Sequence, residues 1–267
     1  MKEGYWVIRT YEAGSIGEKI KFFIPGDRPT GKMRRKDRDA VRKAEQNAYS
    51  AVKTMARLLN ENFKAKDLLM GLDYSEEGLE KVKQLGRKKG LPIDSEDTQV
   101  AMDALWEAAA QSLNNALRRV KRRLEQDQEM KAVYITSDMD GQTGETVRVH
   151  HHLVVNAGME QAFLAAWEQC GFGGVSWTPL SEINEDRTAI AEYFIRQVRR
   201  IPDAKKYHST RNLKRPQPKD RVALSDAEVR VPAGAELLFR QEFKPGRPQY
   251  IRYRKAQRGG SAPPGMV

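Results

Sequence analysis

The sequence predicts an α+β fold: a central antiparallel sheet with helices packed on one face and extensions at both ends. Three observations predict it. Strand-like and helix-like periodicities occupy separate segments, in the order strand, helix, hairpin, helix, strand, helix. Two β-branched runs are joined by Asp140-Gly141-Gln142-Thr143-Gly144, a hairpin signal that makes the sheet antiparallel. Apolar residues make up 39% of the 267-residue chain and charged residues 31%, enough for a buried core beneath a heavily charged surface.

Taken in order, residues 5–10 and 18–24 alternate loosely around Gly14-Ser15-Ile16-Gly17 and read as a hairpin. A basic loop follows, with Lys32, Arg34, Arg35 and Lys36. From 37 to 62, Val41, Ala44, Ala48, Val52, Met55 and Leu59 recur at three- and four-residue steps, which is an amphipathic helix. The apolar segment 67–74 reads as a buried strand and 86–97 as a polar linker. A second helix spans 98–126 on a stripe of Leu105, Ala109, Leu113, Leu117, Val120 and Leu124. Its end carries Arg118, Arg119, Lys121, Arg122 and Arg123, which suit the helix dipole as a solvated face or a phosphate as a contact face. Strands at 131–139 and 146–156 form the hairpin, followed by a helix at 159–169, a short strand at 175–177 and a helix at 186–201. Beyond Pro202 the chain is Pro- and Lys-rich, regains strand character at 236–241 and 249–253, and ends in a segment that reads as disordered. The expected division is an N-terminal hairpin and helix (1–62), a core (63–216), a strand-rich extension (217–254) and a tail (255–267).

Charge narrows the partner. Lys plus Arg outnumber Asp plus Glu by 47 to 36, a net charge of +11, which favours a polyanion, nucleic acid before an anionic membrane surface. One cysteine, Cys170, excludes an internal disulfide and fits a reducing compartment. Neither a signal peptide nor an apolar run of membrane-spanning length is present, so the expectation is a soluble cytoplasmic protein with no membrane partner.

Three of the four histidines, His150-His151-His152, lie inside one β-branched run. Alternation puts His150 and His152 side by side on one face and His151 on the other. Two imidazoles on one face can share a metal ion, or can simply decorate a surface strand. The hairpin brings carboxylates of the preceding strand into range, with Asp138 better placed than Asp140 or Glu145 near the turn. Two imidazoles and a carboxylate on a rigid sheet leave open positions, and a mixed N/O set suits Mg²⁺ or Mn²⁺. On the helix at 186–201, Ile190, Ala191, Phe194, Ile195, Val198 and Ile201 form the buried stripe, with Tyr193 at its edge beside Arg196, Gln197 and Arg200. An edge tyrosine is ordinarily an amphipathic packing residue; among guanidiniums it can also be an activated phenol.

These residues resemble those of the HUH endonuclease superfamily, in particular rolling-circle replication initiators of bacterial mobile elements. His150-His151-His152 is similar to the family's His–hydrophobic–His motif, Asp138 to its carboxylate on the preceding strand, and Tyr193-Phe-Ile-Arg196 to its Tyr-x-x-Lys helix. Asn62-Phe63 with 67–74 resembles the first family motif; Trp167, Gly171, Val175 and 209–216 extend the similarity over roughly residues 5–216. Arg196 stands where lysine is usual, His151 where an apolar residue is common, and Gly71 and Asp73 where threonines are frequent.

The resemblance implies a sheet of about five strands and metal-dependent, sequence-specific nicking of single-stranded DNA at an origin. Asp138, His150 and His152 would hold Mn²⁺ or Mg²⁺; Tyr193, helped by Arg196 and Gln197, would form a 5′-phosphotyrosine link and free a 3′-hydroxyl. Arg34, Arg35, Arg118, Arg122, Arg196, Arg200, Lys205, Lys206, Arg211 and Lys214 would track the DNA backbone. Single-stranded or hairpin origin DNA would be the substrate. The absence of a helicase phosphate-binding loop implies a host helicase, alongside a polymerase. A relaxase or transposase of the same chemistry, a water-using metal nuclease and a non-catalytic DNA-binding module remain the alternatives.

Overall fold

The computed structural model describes residues 3–26, 40–183, 185–198, 205–242 and 249–256, with side chains of the first helix from Glu45 onward. In chain order the elements are β1 (Tyr5–Ala13), β2 (Ile16–Ile24), α1 (Ala40–Asn62), β3 (Leu68–Asp73), α2 (Glu76–Lys88) and α3 (Thr98–Arg123). Then come β4 (Ala132–Met139), β5 (Thr146–Val155), α4 (Glu160–Cys170), β6 (Val175–Pro179) and α5 (Thr188–Arg196). The last are β7 (His208–Ser209), β8 (Lys219–Ala223), β9 (Glu236–Gln241) and β10 (Tyr250–Arg254). The fold is α+β, with two five-stranded antiparallel sheets among the described residues.

The chain divides into two compact units: Met1–Asp37 with Lys214–Val267, and Arg38–Leu213. This differs from the division expected from sequence. The N-terminal hairpin does not stand with α1, because strands from the far end of the chain pair with it: β8 on β1 and β10 on β2. The first unit is therefore one sheet, in the order β8-β1-β2-β10-β9, with Ile8, Val229, Ile251 and Tyr253 at its core. The residues expected to form the tail lie outside the described ones except Lys255 and Ala256.

The second unit carries the site. Its sheet runs β6-β3-β5-β4-β7, so the histidine strand β5 is central. Helices cover both faces of this sheet rather than the one expected. On one side, α2, α3 and α4 bury Val82, Leu113 and Phe163 against Ala132, Leu153 and Val155. On the other, α1 and α5 bury Met55, Leu59, Ile190 and Phe194 against Val133, Ile135 and Val154. Neighbouring residues such as Ala132 and Val133, or Val154 and Val155, thus enter opposite cores, which a strand buried on both faces requires. Helix α2 falls partly in the stretch read as a linker. Ser75 caps it by accepting from the Gly78 N–H at 3.0 Å, Glu76 and Glu77 begin it, and Arg87 and Lys88 end it, in accord with the dipole.

The site helix is fixed at its start. Asp186 Oδ1 accepts from Thr188 N–H at 3.0 Å, and Asn60 on α1 accepts from Arg187 N–H at 3.0 Å. Of the apolar stripe read from sequence, Ile190, Ala191, Phe194, Ile195 and Val198 are buried, and Ile201 lies outside the described residues. The helix ends earlier than expected, at Arg196, with Gln197 as its C-cap.

Candidate metal centre

Alternation along β5 separates the three histidines as their spacing demands. His151 is fully buried on the α3 side, with Tyr74 Oη 2.8 Å from Nε2 and Thr136 Oγ1 3.0 Å from Nδ1. Whichever ring nitrogen carries its proton, one partner accepts and the other donates, so both nitrogens are satisfied. Burial lowers its pKa to about 3, so the ring is neutral. Trp167 closes the pocket edge-on, 5.8 Å between centroids. This histidine is a structural residue.

His150 and His152 meet on the other face. Their Nε2 atoms lie 3.1 Å apart, and Gln197 Oε1 is 3.2 Å from the first and 3.0 Å from the second. His150 Nδ1 is 2.9 Å from the Arg148 carbonyl, which can only accept; Nδ1 therefore carries the proton and Nε2 presents a bare lone pair. Burial, then the neighbouring His150, lower the His152 pKa to about 4, while the Gln197 hydrogen bond opposes them; this ring too is neutral. The phenol of Tyr193 lies 3.4 Å from His152 Nε2, its ring edge-on to the imidazole at 5.1 Å. Tyr193 and Gln197, four residues apart, thus converge on one imidazole from a single turn. No described helix is long and apolar enough to cross a membrane. Comparison with family models, curated proteins and solved structures finds no match.

The donor set fits a cation. Two imidazole nitrogens and an amide oxygen converge within 3.2 Å, and one shared proton cannot satisfy all three contacts. Gln197 is 2% exposed, and its Nε2 has no hydrogen-bond partner among the described residues. The Nδ1–carbonyl bond of His150 is the outer-shell support that metal-binding histidines use. Gly71, paired with His152 across β3, puts no side chain beside that ring.

Gln197, rather than the expected Asp138, is the side chain that meets both imidazoles. Ser137 is the residue paired with His150, and the β4 register shifts immediately after it. Among the described residues no three His, Cys, Asp or Glu side chains gather to hold a metal, so Asp138 does not complete the pair as a carboxylate. Ser137, absent from the sequence reading, does tie the site together. Its hydroxyl donates to the Gln197 carbonyl at 2.7 Å and accepts from Met139 N–H at 3.0 Å. Gly141 in the hairpin turn is the other missed residue: a Cβ there would sit 2.8 Å from Gln197 Cγ. Tyr74 was legible in principle, since the period of two in β3 puts it on the face of Leu72, whose partner is His151.

The expected basic residues scatter. Arg196 is exposed on the last turn of α5, close in sequence to Tyr193 but facing solvent. Arg118 and Arg122 are exposed on α3, Lys205 and Arg211 are exposed on either side of β7, and Lys206 is half-buried. Lys214 belongs to the other unit. Arg34, Arg35 and Arg200 lie outside the described residues.

Proposed function

We propose that this protein nicks single-stranded DNA at an origin by metal-dependent transesterification through Tyr193, initiating rolling-circle replication. One observation carries the reading: the lone-pair cluster of His150, His152 and Gln197 with the Tyr193 phenol against it. A divalent ion held by those three donors, Mn²⁺ ahead of Mg²⁺ because two of them are imidazoles, would neutralise charge developing on the scissile phosphate. Tyr193 is half-buried on a helix whose other face is locked in the core, which gives the fixed direction that in-line attack needs. Its oxygen bonds to phosphorus as the bond to the 3′-oxygen breaks. The phenolic proton passes to solvent and the departing oxygen is protonated to a 3′-hydroxyl. The product is a 5′-phosphotyrosine, and attack by a 3′-hydroxyl reverses the step. Arg196, exposed at the end of the same helix, would meet phosphate from the solvent side.

The excess of Lys and Arg supports a polyanionic substrate, and a host helicase and polymerase would complete replication. Relaxation in conjugation and strand transfer in transposition use the same chemistry. The test is incubation with labelled single-stranded origin DNA and Mn²⁺, resolved on a denaturing gel. A labelled species at protein mass supports the reading. Cleavage without an adduct would point to a water-using nuclease, and neither product to a binding module.

A further inference from the structure

We propose a nucleobase site beside the metal centre: a groove along the outer edge of β4 in which one unpaired base of single-stranded DNA stacks on aromatic side chains, with Lys205 and Lys206 at its flanking phosphates. It deepens the DNA-nicking reading by naming where the strand is gripped.

The groove arises because β7 is only two residues long. It pairs with Val133 and Tyr134 and stops, so from Ile135 onward β4 has no strand on that side among the described residues. Side chains wall the gap. Trp106 of α3 donates its indole N–H to the Thr136 carbonyl at 3.2 Å, holding the indole at the open edge. Tyr134 and His208 lie nearly parallel, 5.6 Å between centroids and 19° between planes, and Tyr207 lines the same space. The space is partly open to solvent, so a flat ring can enter it from one side.

Its chemistry selects the occupant. Lys205 and Lys206 line the groove and, among the described residues, no carboxylate does, which favours an anion. Aromatic faces favour a flat π-system, and the two together describe a nucleotide within a strand. Burial and the nearby Lys205 hold His208 below the ordinary histidine pKa, so its ring is an uncharged stacking surface at neutral pH. Asn114 accepts from the Tyr134 hydroxyl through Oδ1 at 3.3 Å, which leaves its NH₂ to donate to a base carbonyl. The groove adjoins the metal centre: Ile135 is paired with His152, and Val198 follows Gln197. A strand engaged at one is adjacent to the other.

The whole 267-residue chain is tested without metal, on oligothymidylate of about a dozen nucleotides and on an abasic strand of the same length. The wild type should prefer the base-bearing strand, and His208→Ala should lose at least about 5-fold on it and little on the abasic strand. Trp106→Ala should do the same provided its melting temperature holds. If it does not fold, photocrosslinking of wild type to a 5-iodouracil strand should map to Trp106, Tyr134, Tyr207 or His208. Equal affinity for the two strands, equal losses on both, crosslinks only elsewhere, or full competition by free thymidine monophosphate would overturn the groove. Because neither metal nor cleavage enters the assay, base-dependent binding by a protein that never forms an adduct would retain the groove and discard the nicking reading. Adduct formation with base-independent binding would do the reverse.

Discussion

Replacing Gln197 by methionine separates a metal ligand from a packing residue. The substitution roughly keeps side-chain volume but removes Oε1, which lies 3.2 and 3.0 Å from the two imidazole nitrogens. Loss of an outer-shell partner alone typically costs 10- to 100-fold in metal affinity. Loss of one of three direct donors should cost at least that, about 1.4 to 2.7 kcal/mol. Stability should move the other way. The wild-type Nε2 is buried without a partner among the described residues, and an unsatisfied buried amide group costs about 1–3 kcal/mol. Methionine removes that penalty, so the metal-free variant should melt no lower than wild type. The assay is Mn²⁺ titration by calorimetry, with melting curves recorded with and without the ion. At a hundredfold excess over its dissociation constant the ion should stabilise wild type by about 2.7 kcal/mol, a shift that Gln197→Met should largely lose. A variant that binds Mn²⁺ as wild type does, or whose metal-free melting point falls by several degrees, would refute the assignment.

Gly141→Ala should act on the same ligand from outside, because its Cβ would meet Gln197 Cγ at 2.8 Å; metal affinity should fall while the hairpin survives, and unchanged affinity would contradict this packing. Asp138→Asn should leave Mn²⁺ binding within a few-fold of wild type, and a loss as large as that of His152→Ala would restore the carboxylate as third ligand. His151→Ala should leave the metal donors in place but strand the Tyr74 and Thr136 hydroxyls, costing about 1–3 kcal/mol for each left unsatisfied; lost metal binding at an unchanged melting point would reverse the face assignment. DNA affinity should fall with salt at roughly 0.7 log units per log unit for each phosphate contacted, and a flat response would remove the cationic surface from the account.

The sequence displayed some of this plainly. The period of two through His150–His152 separated the facing pair from the buried ring, and the period of 3.6 on α5 put Tyr193 at the edge of its stripe. Asp138 was favoured over Gln197 for a reason of register. Hairpin proximity favours a residue on the paired strand, but the site faces α5, and Ser137 rather than Asp138 stands opposite His150. Gln197 was visible one turn beyond Tyr193, yet only the packing of α5 on the sheet turns its amide to both imidazoles. The unit boundary was illegible because it depends on β1 and β2 pairing with strands some two hundred residues away, and such partners leave no local periodicity. Helix α2, in contrast, carried local signals in Ser75, Glu76, Glu77 and Val82, but Gly78 and Gly86 within a highly charged segment obscured its period.

The central claim is that one phenol among nine tyrosines becomes bonded to DNA. The direct measurement is mass spectrometry of the nucleotide-bearing peptide after reaction with single-stranded origin DNA and Mn²⁺, run in parallel for wild type, Tyr193→Phe and Tyr207→Phe. The account predicts an adduct on Tyr193 in wild type and in Tyr207→Phe, and none in Tyr193→Phe although it still binds metal and DNA. An adduct on Tyr207 or any other tyrosine, or cleavage that persists in Tyr193→Phe, would contradict it.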